Sequence, residues 1–142
     1  EREGTRLADL VKSRTAAMRD LVARAEPLIP AAQQAFADKA RAKLIEVMGS
    51  AEDERIRQEL TLYAVRTDVA EELGRLKVHL DEVDRVVSTP GQAGKRLDFL
   101  IQELHREANT LGSKSAAMEL TRISVDMKVL IEQMREQVQN IE

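Results

Sequence analysis

The sequence predicts an all-α fold: an elongated helical bundle with long, coiled-coil-like helices. Three observations point that way. Apolar residues recur at alternating steps of three and four along much of the 142 residues. No segment alternates as a strand would. Aromatics make up only 2% of the chain and charged residues 33%, with the apolar set dominated by Leu, Ala, Val, Ile and Met, a composition of exposed helices rather than of a β-sandwich. The length suits one domain with a moderate core.

A first helix is expected from Thr5 to about Ala25, its stripe formed by Leu7, Leu10, Val11, Met18, Leu21, Val22 and Ala25. Pro27 and Pro30 interrupt it. Because proline fits a first helical turn, Pro30 can open a second helix that carries Phe36, Ala40, Leu44, Val47 and Met48 and ends at Gly49. Ser50 to Asp53 approaches a capping box, and a third helix follows through Ile56, Leu60 and Tyr63. Asp68 to Glu71 repeats the pattern, so either a new helix starts there or the third one continues, with a seam of Val69, Leu73, Leu76, Leu80, Val83 and Val87. Residues 88–94, STPGQAG, form an internal loop. The next helix is defined by Leu97, Leu100, Ile101, Leu104, Ala108 and Leu111, with Gly112 read as its stop and Ser113 or Ser115 as the following cap. In the last helix Leu120, Ile123, Met127, Leu130, Met134, Val138 and Ile141 make a run long enough for a coiled-coil seam or a subunit contact, so a homo-oligomer is expected.

Composition also excludes. Without cysteine there is no disulfide, no thiolate metal site and no thiol nucleophile. A net charge of −3 is too mild to drive polyanion binding by itself, so any RNA contact needs a local basic cluster. No run of 18 apolar residues and no signal-peptide pattern occur, so the chain reads as cytoplasmic with no membrane partner. It begins with Glu1 rather than Met, which suggests a fragment of something longer. Phosphate-binding glycine loops, HExxH and GxSxG are missing, and Tyr63, Phe36 and Phe99 are too few to stack single-stranded bases.

Two polar regions remain. Glu72 and His79 stand seven apart on one flank of their helix beside Asp68 and Arg75, about 10 Å apart along the axis, so they share a metal only through another element. From spacing alone a solvated charged flank is the simpler reading. On the helix after the loop, Glu103 and Glu107 form an i, i+4 pair with Arg106 between them, a half-site for a divalent cation or an acid–base pair, though such pairs are common in helices without chemistry. Asp98, Gln102, His105 and Asn109 line the other side of that helix. Phe99 points among these polar groups, which hints that this face meets another subunit or domain. Lys95, Arg96, Arg106 and Lys114 can hold phosphates, yet from spacing alone Lys114 is a solvent-facing residue after a helix stop. The stretch HREANTLGSKS, residues 105–115, has Leu111 as its single large apolar side chain, and periodicity does not account for it.

DVAEELGRLKVHL (68–80), GKRLDFLIQELHREANTLGSKS (94–115) and VLIEQMREQVQNIE (129–142) resemble the C-terminal region of the YicC/YloC family of bacterial endoribonucleases, long described as stress-induced proteins. REGTRLADL near the start resembles the beginning of that region, and residues 12–60 agree only in helical character. The resemblance implies a single helical C-terminal domain over residues 1–142 of a longer protein whose N-terminal domain is absent. It further implies an oligomer that cleaves RNA with a divalent cation, Mn2+ or Mg2+. Carried onto this sequence, Glu72, His79, Glu103 and Glu107 are the expected metal-binding and catalytic set. Arg75, Lys95, Arg106, Asn109, Ser113 and Lys114 are the expected RNA contacts, and HREANTLGSKS becomes a functional segment. His105 and Lys77 depart from the family pattern and are not counted as ligand or base. The competing reading is a non-catalytic oligomerisation or RNA-adaptor module.

Overall fold

A computed structural model describes residues 2–48, 69–89, 94–114 and 118–141; within them the side chains of residues 2–4, 36, 47, 48, 113, 114 and 141 are outside the description. The expected third helix at 50–68 falls outside the described residues. Every element among those described is helical: α1 (Arg2–Ala25), a 3-10 turn (Glu26–Leu28), α2 (Ile29–Met48), α3 (Val69–Val87), α4 (Gly94–Lys114) and α5 (Met118–Ile141).

Four of these helices close a ring. α1 packs on α3 and α5, and α4 packs on the same two from the other side. Side-chain pairs give the directions. Thr15 meets Asp84 while Glu26 meets Lys77, so α1 and α3 run antiparallel. Arg24 reaches Glu119 and Ser124 reaches Ala108, placing α5 antiparallel to both α1 and α4.

The expected stripes form the core. Leu7, Val11, Met18, Leu21 and Val22 from α1 meet Leu73, Leu76, Leu80 and Val83 from α3, together with Leu97, Leu100, Leu104 and Leu111 from α4. A period of 3.6 wins over strict alternation late in α3 and midway along α5: Val86 is buried in place of the expected Val87, and Ile131 in place of the expected Leu130, each expected residue being half-buried. The expected subunit seam of α5 is turned inward, since Leu120, Ile123, Met127, Met134 and Val138 are buried within this chain. An assembly of chains, if built on α5, uses another face of it.

Pro27 lies in the 3-10 turn and Pro30 in the first turn of α2, where its missing N–H costs nothing. α2 then leaves the bundle. Ile29 and Ala32 are buried, Ala40 and Leu44 only half-buried, and Ile45 exposed. Phe36, Val47 and Met48, expected to complete its stripe, have side chains outside the description.

Two buried hydroxyls fix helix spacing. Thr15 on α1 lies 2.6 Å from Asp84 Oδ1 and 3.0 Å from the Lys12 carbonyl; its one proton serves the shorter contact, and Asp84 also takes Arg19 at 2.7 Å. Ser124 on α5 donates to the Ala108 carbonyl of α4 at 2.6 Å. Gly112 corrects the expectation of a helix stop: α4 continues through it to Lys114. A Cβ at Gly112 would stand 2.5 Å from Ser124 Oγ and 2.9 Å from its Cβ, so the glycine is there to let α4 and α5 approach.

Candidate metal centre

α3 and α4 each carry a carboxylate into positions that the helical period assigns to the core. Glu72 falls between Val69 and Leu76 on the buried face of α3, and Glu107 between Leu104 and Leu111 on that of α4. Glu72 is 5% exposed and Glu107 is 0% exposed. Burying a carboxylate is costly unless something on the inside answers its charge.

For Glu107 the answer comes from across the helix pair. His79 Nδ1 lies 2.8 Å from both Glu107 oxygens. One ring proton can be aimed at only one of them; it is directed at Oε1, and Oε2 has no hydrogen bond among the described residues. Placing the proton on Nδ1 assigns the tautomer and leaves the lone pair on Nε2. Burial pushes the protonation midpoint of Glu107 up, and the His79 hydrogen bond and Arg106 only partly offset this.

Glu103, one turn before Glu107, is more open. Arg106 donates to it from Nε at 3.4 Å and from a terminal nitrogen at 3.2 Å, and this guanidinium holds Glu103 below the usual carboxylate range. The same terminal nitrogen is 3.9 Å from Glu107 Oε2.

His79, Glu103 and Glu107 each offer a donor atom within 4.8 Å of the other two. Imidazole nitrogen and carboxylate oxygens are the set that a borderline-hard divalent cation such as Mn2+ accepts, and three protein donors leave positions for water and phosphate oxygens. The buried Glu107 Oε2, which has no hydrogen bond among the described residues, is what a cation would complete. On donor chemistry and on that orphaned atom, the residues fit a divalent cation.

Three of the four expected ligands are therefore brought together, and Glu72 stands outside the group. Arg75 donates to Glu72 Oε1 at 3.4 Å and to Glu71 at 2.6 Å, while Glu72 Oε2 is buried with no hydrogen bond among the described residues. Of the expected RNA contacts, Arg75 and Arg106 are beside these acids. Lys95 is exposed eight residues before Glu103, about 12 Å along the helix. Asn109 faces α5, where Lys128 donates to its Oδ1 at 3.3 Å. The side chains of Ser113 and Lys114 lie outside the described residues. His105 is exposed, and Lys77 is paired with Glu26.

Sequence reasoning did not anticipate Glu82, one turn beyond His79, which pairs with Arg85 and stands 3.9 Å from Arg96. Arg96 also covers the half-exposed ring of Phe99 at 5.3 Å, so an intrachain cation–π contact supplies part of what that ring faces.

Over residues 25–142 the chain matches the family described as "Endoribonuclease YicC-like, C-terminal". It is 40% identical over 141 residues to "Probable endoribonuclease YicC" of Haemophilus influenzae, an alignment covering 99% of this chain and 49% of the relative. It is 31% identical over 143 residues to the protein of the same description from Clostridioides difficile, again over 99% of this chain and 49% of the relative. The chain thus spans about half the length of the curated relatives it matches.

Proposed function

Because the chain belongs to the YicC-like endoribonuclease family, we propose that it is the helical part of a metal-dependent endoribonuclease that cuts RNA phosphodiester bonds. One observation carries this reading: His79, Glu103 and the fully buried Glu107 converge from two helices within 4.8 Å. Glu107 Oε2, buried and without a hydrogen bond among the described residues, adds a lone pair that a cation could take up.

In this reading His79, Glu103 and Glu107 hold the cation, and Glu72 is not among the ligands. A bound Mn2+ or Mg2+ polarises the phosphate and acidifies water. Arg75 and Arg106 neutralise the charge that builds on the phosphoryl oxygens, Arg through a two-pronged fork suited to phosphate. The His79–Glu107 pair fixes the imidazole orientation and holds one proton at Nδ1. Lys95, Asn109, Ser113 and Lys114 would then guide RNA along α4, on a chain that assembles with copies of itself and with the remainder of the protein.

The test is Glu103→Gln in the full-length protein. Cleavage of a structured RNA in Mn2+ should fall at least about a hundredfold while sedimentation of the protein is unchanged. Undiminished cutting would refute the assignment. It would favour the adaptor reading, in which the other half of the relatives' length carries the nuclease.

A further inference from the structure

We propose that Arg106 is an exchangeable counter-ion that couples cation binding to phosphate binding, an inference that rests on the nuclease reading. The guanidinium faces both acids of the group, Glu103 at 3.2 Å and Glu107 at 3.9 Å. These are lone pairs that a cation held by His79, Glu103 and Glu107 would use. Arg106 and the cation therefore compete for the same oxygens.

The competition is easily reversed. Arg106 is 53% exposed and its contacts to Glu103 are long, so little is lost when they part. A guanidinium fork engaged with Glu103 cannot present the same N–H groups to a phosphate. Once a cation draws on Glu103 and Glu107, Arg106 is displaced and free to meet an RNA phosphate. Linkage makes this reciprocal: RNA that engages Arg106 tightens the cation by the same factor. Arg75 provides the contrast. Its closest contact is the rim residue Glu71 at 2.6 Å and its other partner is Glu72, neither of which belongs to the three-donor group. Its contribution to phosphate affinity should not depend on the cation.

The experiment measures two affinities of the full-length protein. Mn2+ is titrated calorimetrically without RNA, and a short labelled RNA hairpin is titrated by fluorescence anisotropy with and without Mn2+, Ca2+ being substituted if the probe is cut. Arg106→Gln should weaken RNA binding by about tenfold with the cation and less than about twofold without it. The same variant should tighten Mn2+ by a few-fold in the absence of RNA. Arg75→Gln should weaken RNA equally in both conditions. An equal loss for Arg106→Gln with and without cation overturns the coupling while leaving the metal site standing. If the Glu103→Gln variant binds Mn2+ as tightly as the unsubstituted protein, the site reading fails and the coupling falls with it.

Discussion

Replacing Glu107 by Gln should stabilise the protein while destroying the candidate metal site. Glu107 is fully buried, one of its oxygens has no hydrogen bond among the described residues, and an Arg106 guanidinium nitrogen is 3.9 Å away. Desolvating a carboxylate costs several kcal/mol. The charge-assisted bond from His79 returns about 1.5 to 3 kcal/mol. Gln keeps an oxygen for His79 and loses the charge, but leaves an amide without an acceptor at a cost of about 1 to 3 kcal/mol. The balance favours the variant by about 1 kcal/mol at neutral pH, a rise of about 3 to 5 °C in Tm for a chain of this size. The pH dependence follows from the raised protonation midpoint. Glu107 supports folding fully below its ordinary value of 4.5, and that support is lost as pH rises through the higher folded value. The stability gap between variant and wild type should therefore be smallest near pH 4 and widen to a plateau above the raised midpoint. Thermal unfolding followed by circular dichroism in EDTA, repeated across pH, reads both quantities. With Mn2+ at about a hundred times its Kd the wild type should gain about 2.7 kcal/mol and the variant almost nothing. A variant less stable than wild type at pH 8, or a gap that ignores pH, would show that Glu107 is a satisfied structural acid.

Gly112→Ala should destabilise by about 1 to 3 kcal/mol despite alanine's better helix propensity, because the new methyl collides with Ser124. In a urea-denaturation cycle Gly112→Ala should cost less in a Ser124→Gly background than in the wild type, and an equal cost in both would mean the collision is not its cause. Asp84→Ala should cost about 2 kcal/mol by stripping Thr15 and Arg19 of their shared partner, measured the same way. In Arg106→Gln the Glu103 carboxyl should titrate at higher pH than in the wild type, followed by side-chain carboxyl NMR, since Arg106 is the main group holding it low. Glu103 protonation that stays put would deny that ion pair in solution.

Most of the fold could be read from the periodicity of apolar residues. Leu73, Leu76 and Leu80, or Leu97, Leu100 and Leu104, leave little freedom in which face a helix buries. The pattern was less informative where it is interrupted. Gly112 looks like a stop in a linear sequence, and its role as a contact surface depends on Ser124, twelve residues on and on another helix. The candidate site was half legible. Glu103 and Glu107 are visible as a spaced pair, but burial separates their roles: Glu107 shares the apolar register of Leu104, Ala108 and Leu111, a signal that an acid at a core position carries chemistry or pairing. What no spacing reveals is that His79 arrives opposite Glu107, since that is set by how α3 and α4 pack. Glu72, two turns away on the same helix as His79, was expected with the group and stands beyond its reach.

The three donors all come from α3 and α4, neighbours in sequence with a short connection between them. Closing a short loop is entropically inexpensive, and contacts near in sequence form early. The candidate cradle is consequently a local product of one helical hairpin, with α1 and α5 packed against the apolar faces of its two helices. A transplanted 69–114 segment, steadied by any partner that covers its greasy side, should retain the donors' mutual arrangement.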